Sequence, residues 1–184
     1  MTRGRPRSEE SRRAVLSAAL GLCERDGYQA VTLKDIAAAA GVGRQTLYRW
    51  WGEKAEILLE ALGELAAEGL AAPEPSGDPA ADLEEFLVRT FGSAGTYVGA
   101  VVVGVMVDGQ GRPELGERVR RELIQPRRGE LRPLLDRVLP PEVDRELAVD
   151  LVFGAMWYRL LNRHAPVDGA FAREVAAAVL RMAG

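Results

Sequence analysis

Apolar residues recur at helical spacing along nearly the whole of this 184-residue chain. Residues 9–26, behind a candidate N-cap at Ser8, are a clear example, because their apolar positions repeat every three or four residues. That stripe consists of Val15, Ala18, Ala19, Leu22 and Cys23. Residues 97–107, YVGAVVVGVMV, favour a strand by composition. No other segment offers a strand partner, so we predict a buried helix there and an all-α fold of about nine helices.

Charge is divided unevenly between the two parts of the chain. Residues 1–54 carry ten Lys and Arg against six Asp and Glu, a balance of +4, whereas residues 55–184 carry fourteen Arg and twenty-one acids, a balance of -7. Such an asymmetry is typical of a protein whose basic part meets a polyanion. The Pro- and Gly-rich segment 72–79, APEPSGDP, predicts a loop that separates the first helices from the rest.

Composition argues against several classes of protein. One cysteine, Cys23, and one histidine, His164, provide neither an intrachain disulfide nor a ligand cluster, so we expect no metal or other cofactor. The five serines have no evident partner base, so we expect no enzyme. The N-terminus lacks the apolar core of a signal peptide, and the run 97–107 is too short to span a membrane. The expected location is the cytoplasm, with no membrane partner.

Two short predicted helices form the segment most informative about function. Thr32 is placed to cap the first, Gly41 to end it, and the second spans about residues 44–51. Two short helices joined by a Gly-containing turn are the layout of a helix-turn-helix, in which the second helix enters the major groove of DNA. On that helix Leu47 and Trp51 face inward. The opposite face presents Arg44, Gln45, Tyr48 and Arg49, flanked by Thr46.

These side chains suit a nucleic-acid surface. Arginine pairs with guanine edges and glutamine with adenine edges, while hydroxyls and lysines reach phosphates. Thr32 and Lys34 open the first helix, whose free N–H groups can accept a phosphate, and Lys54 lies just beyond the second helix. We therefore predict an N-terminal arm with a helix-turn-helix domain in residues 1–54, and a second domain in residues 55–184. The alternative is a small amphipathic helix with an ordinary solvated face.

Residues 27–62, GYQAVTLKDIAAAAGVGRQTLYRWWGEKAEILLEAL, resemble the DNA-binding region of TetR-type transcriptional regulators. The resemblance implies that Thr32, Tyr48 and Lys54 contact phosphates, and that Arg44, Gln45, Thr46 and Arg49 lie near base edges. The sequence departs from the family pattern at three places. Gly43 replaces a capping serine, Gln45 replaces a small residue, and Trp50–Trp51 replaces a Tyr-Phe pair.

The first residues, TRGRPR, form a basic arm before the first predicted helix. Arg3 and Arg5 alternate with Gly and Pro, a pattern typical of segments that lie in a narrow minor groove. The alternative is a basic tail attracted to phosphates without a defined position.

The rest of the chain is similar to TetR-type C-terminal domains, and this similarity implies a homodimer through the last two helices, residues 142–182. The sequence agrees independently, because residues 142–163 have more apolar surface than one subunit can bury. The similarity also implies a cavity for a small, mostly apolar effector. The candidate wall residues, each of which has a simple core role as its alternative, are Phe86, Phe91, Tyr97, Met106, Leu123, Trp157 and Tyr158.

The sequence therefore predicts a dimeric regulator, most simply a repressor, that binds a palindromic DNA operator and is released by an effector. A DNA-binding protein whose second domain only dimerises, or an activator, is compatible with the same residues. Nothing in the sequence identifies the effector or the operator bases.

Overall fold

The computed structural model describes residues 5–71 and 74–183, with the backbone alone for residues 5–8. Ten α-helices follow one another in this part of the chain: α1 Arg5–Asp26, α2 Leu33–Ala39, α3 Arg44–Trp50, α4 Lys54–Gly69, α5 Pro79–Ala94, α6 Tyr97–Gln110, α7 Pro113–Val119, α8 Gln125–Val138, α9 Arg145–Asn162 and α10 Gly169–Leu180. Because α7 continues into α8 through a π-helical turn, Arg120–Ile124, the described chain holds nine separate helices and no strand.

The all-α prediction is confirmed, including the helix over residues 97–107. Its strand-like composition is overridden by packing, since α6 is buried along Val101 and Val105 between its neighbours and starts from the side chain of Thr96, which caps Val98. The π-helical turn has a local cause. Pro126 has no N–H to donate, and the N–H of Gln125 bonds instead to the carbonyl of Arg120, five residues back.

Two predicted helix starts were wrong. The first helix begins at Arg5 instead of residue 9, so Ser8 lies inside α1 and is not its N-cap. The helix predicted from residue 142 begins at Arg145, because the carboxylate of Asp144 accepts the N–H groups of Glu146 and Leu147 at 2.8 and 3.1 Å.

The hydrophobic interior forms two clusters that do not follow the boundary at residue 54. The first cluster is formed by helices α1, α2, α3, α4, α6 and α7, and it contains Leu47, Leu58 and Val105. The other joins α5, α8, α9 and α10, and contains Phe86 and Phe171. Helix α6 therefore belongs to the core that supports the N-terminal helices, and it connects them physically to the rest of the molecule.

Cys23 lies within the first cluster. Its side chain is buried, and burial raises the pKa of the thiol to about 11. A neutral thiol on the apolar face of α1 acts there as a packing group.

Among the described residues no single helix is both long and apolar enough to cross a bilayer, and α5 with α6 reaches the required length only across a 76° bend. No three His, Cys, Asp or Glu side chains in this part of the chain are grouped so as to hold a metal ion.

Candidate nucleic-acid interface and internal cavity

Helices α2 and α3 form a tight pair whose geometry is set by a cap and two glycines. The hydroxyl of Thr32 accepts the N–H of Asp35 at 3.3 Å, and the Asp35 carboxylate accepts the N–H of Thr32 at 3.1 Å. This reciprocal arrangement is a capping box. Gly41 adopts φ +65°, which an L side chain rarely tolerates, and Gly43 caps α3 without a side-chain hydrogen bond.

One face of α3 is open to solvent. Arg44, Gln45, Tyr48 and Arg49 are exposed, Tyr48 by 58%, and Thr46 beside them is half-buried. None of their side chains forms a hydrogen bond or ion pair with another residue that the structure describes. Their donors are therefore available to a ligand along one helix face, and Lys34 on α2 is exposed as well.

The opposite side of α3 is anchored by Leu47 and Trp51, which are 1% and 5% exposed. The indole N–H of Trp51 donates to Glu60 on α4 at 2.7 Å, and Trp50 packs edge-on against Trp51. Glu60 also accepts from Arg12 of α1. Helix α3 is therefore held on α1 and α4 by both apolar packing and hydrogen bonds, which make it a rigid element.

Two of the residues expected to contact phosphates have partners inside the protein. The hydroxyl of Thr32 is shared with Asp35 in the capping box, although the side chain is exposed. The ammonium of Lys54 donates to the carbonyls of Tyr28 and Val31, at 2.7 and 3.0 Å, and lies 4.4 Å from the centre of the Tyr28 ring. Through these hydrogen bonds Lys54, the first residue of α4, binds the connection between α1 and α2. Arg3 lies outside the described residues, and of Arg5 only the helical backbone is described.

A set of contacts joins the N-terminal helices to α6 and α7. The Tyr28 hydroxyl donates to Asp108 at 2.7 Å, and its pKa is raised mainly by burial and then by this carboxylate. The ring fits only because residue 104 is glycine, since a Cβ there would lie 2.4 Å from a ring carbon. Ion pairs join Glu53 to Arg112, and Glu56 to Arg118 at 3.1 Å.

A cavity of about 290 Å³ lies beside α4 and is mostly apolar. Its lining comes from α4, α5, α6, the π-helical turn, α8 and α9. Such a volume is at the small end of the range for ligand sites. The cavity touches α4 along residues 62–70, so a bound molecule would contact the same helix that carries Lys54 at its other end.

Two of the seven predicted wall residues, Leu123 and Trp157, line this cavity. The other five do not. Phe86 and Phe91 are fully buried for different reasons: Arg127 of α8 covers the Phe86 ring, and Phe91 packs on Phe171 of α10. Thr90, Ser93 and Ala94 of α5 line the cavity instead. The remaining three also lie elsewhere: Tyr97 and Met106 pack against the first core cluster, and Tyr158 is 64% exposed.

Sequence reasoning missed the polar residues that line the cavity, which are Thr90, Ser93, Arg127, Arg128 and Asp150, the last paired with Arg128. Arg127 donates to the backbone carbonyl of Leu70, to Thr90 and to Glu130. The adjacent arginines after Pro126 were the available signal. The direction in which these two arginine side chains point depends on the π-helical turn before them, and helical periodicity does not reveal that turn.

An unpartnered apolar stripe runs along α9. Leu147, Leu151, Tyr158 and Leu161 are between 51% and 64% exposed, and Gly154 is exposed between them. Their spacing of four, three, four and three residues is the a/d pattern of helices that pack on another helix. The sequence predicted more apolar surface on residues 142–163 than one subunit can bury, and within one chain these leucines face solvent.

Comparison with known proteins agrees with this geometry. The model for bacterial regulatory proteins of the tetR family matches residues 15–61, and that for the tetracyclin repressor-like C-terminal domain matches residues 73–179. The HTH-type transcriptional regulator YdeS of Bacillus subtilis (strain 168) is 32% identical over 178 residues, 94% of this chain and 89% of YdeS. The DNA-binding transcriptional repressor TetR of Mycobacteroides abscessus is 28% identical, over 90% of this chain and 89% of its own.

A solved structure shows the same fold. The TetR family transcription regulator SCO0332 superposes with a TM-score of 0.75 at 28% identity, over 94% of this chain and 98% of its own. The paired short helices, the exposed face of α3 and the two matching family models lead to one conclusion. The chain belongs to the TetR family of DNA-binding bacterial transcriptional regulators.

Proposed function

We propose that this regulator is a repressor that binds a two-fold symmetric operator as a homodimer and leaves it when an effector enters the cavity beside α4. The observation that carries the proposal is the position of α4. One end of this helix clasps the helix-turn-helix through Lys54, and the other end lines the cavity.

The DNA-binding part of the proposal rests on the exposed face of α3. Arg44, Gln45 and Arg49 would reach base edges, and Tyr48 would donate to a phosphate. Thr46 would contact a base edge or a thymine methyl group, and Lys34 would add a phosphate contact. Because Lys54 and Thr32 are committed to internal hydrogen bonds, we assign them the task of positioning α2 and α3 on the DNA.

The dimer rests on the α9 stripe. Four large apolar side chains at heptad spacing on one helix are a surface that a second copy of the same helix can cover. A two-fold axis through this surface places two α3 helices on one face of the DNA, about one helical turn apart. The small exposed residues of α10, Ala177 and Ala178, allow the partner's backbone to approach closely.

Effector control follows from linkage. A ligand that binds the cavity more tightly when α4 is in one position shifts the population of molecules toward that position. The free energy of this shift cannot exceed the difference between the ligand's binding free energies for the two positions. Because α4 also holds Tyr28 and Val31 through Lys54, its movement changes the position of α2 and α3 relative to the two-fold axis.

Selection from a random duplex library tests the proposal directly. The expected product is a palindrome whose half-sites are centred about 10 base pairs, or a multiple of that, apart. Replacing both Tyr48 and Arg49 by alanine should abolish binding to the selected duplex, measured by fluorescence anisotropy, without changing the thermal unfolding midpoint. Arg25→Ala is the matched control, because it also removes an exposed arginine of the N-terminal part, one paired with Asp26. Unchanged affinity of the double variant would overturn the assignment.

A further inference from the structure

The wall of the cavity contains one arginine whose hydrogen bonding is incomplete. The guanidinium of Arg127 has five N–H donors. Three acceptors meet it, namely the carbonyl of Leu70, the hydroxyl of Thr90 and the carboxylate of Glu130. Two donors remain, and one of them, Nε–H, is buried and has no partner among the described residues. Buried polar groups are nearly always paired, so this exception requires an explanation.

The charge of Arg127 is paired with one carboxylate, that of Glu130. Its side chain is 14% exposed and stacks on the Phe86 ring at 4.4 Å. Burial lowers the pKa of the guanidinium more than the nearby Glu130 carboxylate raises it, and Arg89 adds a like charge. The neighbouring Arg128 differs, because Asp150 and Glu146 hold it at 2.5 and 2.8 Å.

The remainder of the cavity suits an apolar chain. Its surface is formed largely by side chains such as Leu62, Val102, Leu123, Phe153 and Leu160. At about 30 Å³ per non-hydrogen group, 290 Å³ accommodates about ten such atoms. Ser93 and Trp157 also line the cavity, and their hydroxyl and indole N–H donate to no other described residue. The unused polar groups of the wall are therefore mainly donors, which call for an acceptor on the ligand.

We propose that the cavity binds an amphipathic carboxylate, with the chain among the apolar side chains and the carboxylate on Arg127. This inference rests on the proposed function, since it names the chemical class of the effector. Hydrogen bonds between charged partners are roughly twice as strong as neutral ones, and a guanidinium can offer a carboxylate two parallel N–H groups. Because Nε is buried, the side chain must turn toward the cavity to offer this donor to the carboxylate.

The turn has a structural consequence at the end of α4. When it turns, the Arg127 guanidinium gives up its hydrogen bonds to two neutral acceptors, the Leu70 carbonyl and the Thr90 hydroxyl. It donates to the charged carboxylate of the ligand instead. The Leu70 carbonyl follows the last residue of α4, so its release frees the end of the helix that lies opposite Lys54. Binding of the carboxylate is thereby coupled to the position of the helix-turn-helix through one side chain.

Calorimetric titration of the purified full chain, without DNA, with octanoate and with 1-octanol tests the proposal. The two probes share a chain and differ in the charged head. Octanoate should bind about tenfold more tightly, or more, at pH 7. In Arg127→Gln this ratio should fall to about one while 1-octanol binds as before. Arg89→Gln is the matched control, because Arg89 donates to the Gly69 carbonyl at the same end of α4 and does not line the cavity.

Two results would overturn the proposal. One is equal binding of octanoate and 1-octanol to the unaltered protein, a comparison that does not depend on any variant folding. The other is a preference for octanoate that survives in Arg127→Gln. Failure of the proposed function is a separate outcome: octanoate that binds through Arg127 but leaves the affinity for the selected operator unchanged would remove its role as effector and retain the ligand class.

Discussion

At the scale of single residues, Gly104 is the position where the space is tightest between the N-terminal helices and α6. A Cβ at residue 104 would lie 2.4 to 2.7 Å from three atoms of the Tyr28 ring. The ring cannot retreat freely, because its hydroxyl donates to Asp108 and Lys54 lies over its face. One missing methyl group thus allows the α1–α2 connection to pack directly on α6.

We therefore expect Gly104→Ala to destabilise the fold by about 1–3 kcal/mol, the usual cost of overpacking a close contact. Urea unfolding monitored by circular dichroism measures the loss. Gly21→Ala is the matched control, because Gly21 lies in α1 with nothing within 4 Å of its Cβ position, and this change should stabilise the helix by about 0.5–1 kcal/mol. Equal effects of the two substitutions would contradict the packing argument.

Residue chemistry also explains which site residues could be identified from the sequence. The exposed face of α3 could be predicted in part, because helical spacing places Gln45 and Arg49 opposite Leu47. Arg44, three residues before Leu47, is exposed at the first position of the helix. The internal roles of Thr32 and Lys54 could not be predicted, since the same donors suit a phosphate or a carbonyl. Only the fold brings the Lys54 ammonium within 3.0 Å of two carbonyls, 23 and 26 residues earlier in the chain.

At the scale of elements, short helices depend on their ends. Helix α2 has seven residues, too few to be stable by propensity, and its capping box satisfies N–H groups that would otherwise lack acceptors. The box also fixes the direction in which the chain enters α2, and so the placement of α3.

Thr32→Ala should lower the free energy of unfolding by about 1 kcal/mol, because the cap is lost. Thr32→Ser keeps the hydroxyl and should recover most of the stability. Chemical denaturation of the two variants measures both values. If alanine were as stable as threonine while DNA binding collapsed, Thr32 would be a direct phosphate contact and its cap would be incidental.

Contacts between helices decide features of the fold that residue periodicity alone does not predict, as helix α6 and the cavity wall show. Propensity favours a strand over residues 97–107, yet the absence of a partner strand predicted the helix correctly, because an isolated strand leaves its backbone groups unpaired. The wall of the cavity could not be predicted in the same way. Phe86 lies on the same side of α5 as Thr90 and Ser93, and it is kept from the cavity by Arg127 over its ring, a contact that depends on helix packing.

At the scale of the whole molecule, the -3 net charge is less informative than its division. The basic N-terminal part and the acidic remainder share a core with α6 and α7, so the two parts are joined by apolar packing and by the ion pair Glu53–Arg112. A change beside α4 therefore acts on one connected body, which is what control of DNA binding from a distant cavity requires.

The α9 stripe is the contact surface of the proposed dimer. In that dimer Leu151 of each subunit would lie close to the symmetry-related stripe, so Leu151→Asp would place carboxylates in an apolar contact and remove two buried leucines. We expect the variant to sediment as a 20.0 kDa monomer and the unaltered chain to sediment at twice that mass.

Affinity for the operator should fall more than about tenfold in the monomer, because each molecule contacts one half-site and loses the advantage of a linked second site. Val107→Asp is the matched control: Val107 is 56% exposed, close to the 51% of Leu151, but lies on α6 away from the stripe. If Val107→Asp dissociated the protein and Leu151→Asp did not, the two-fold contact would lie on α6, and the spacing of the α3 helices would follow from a different axis.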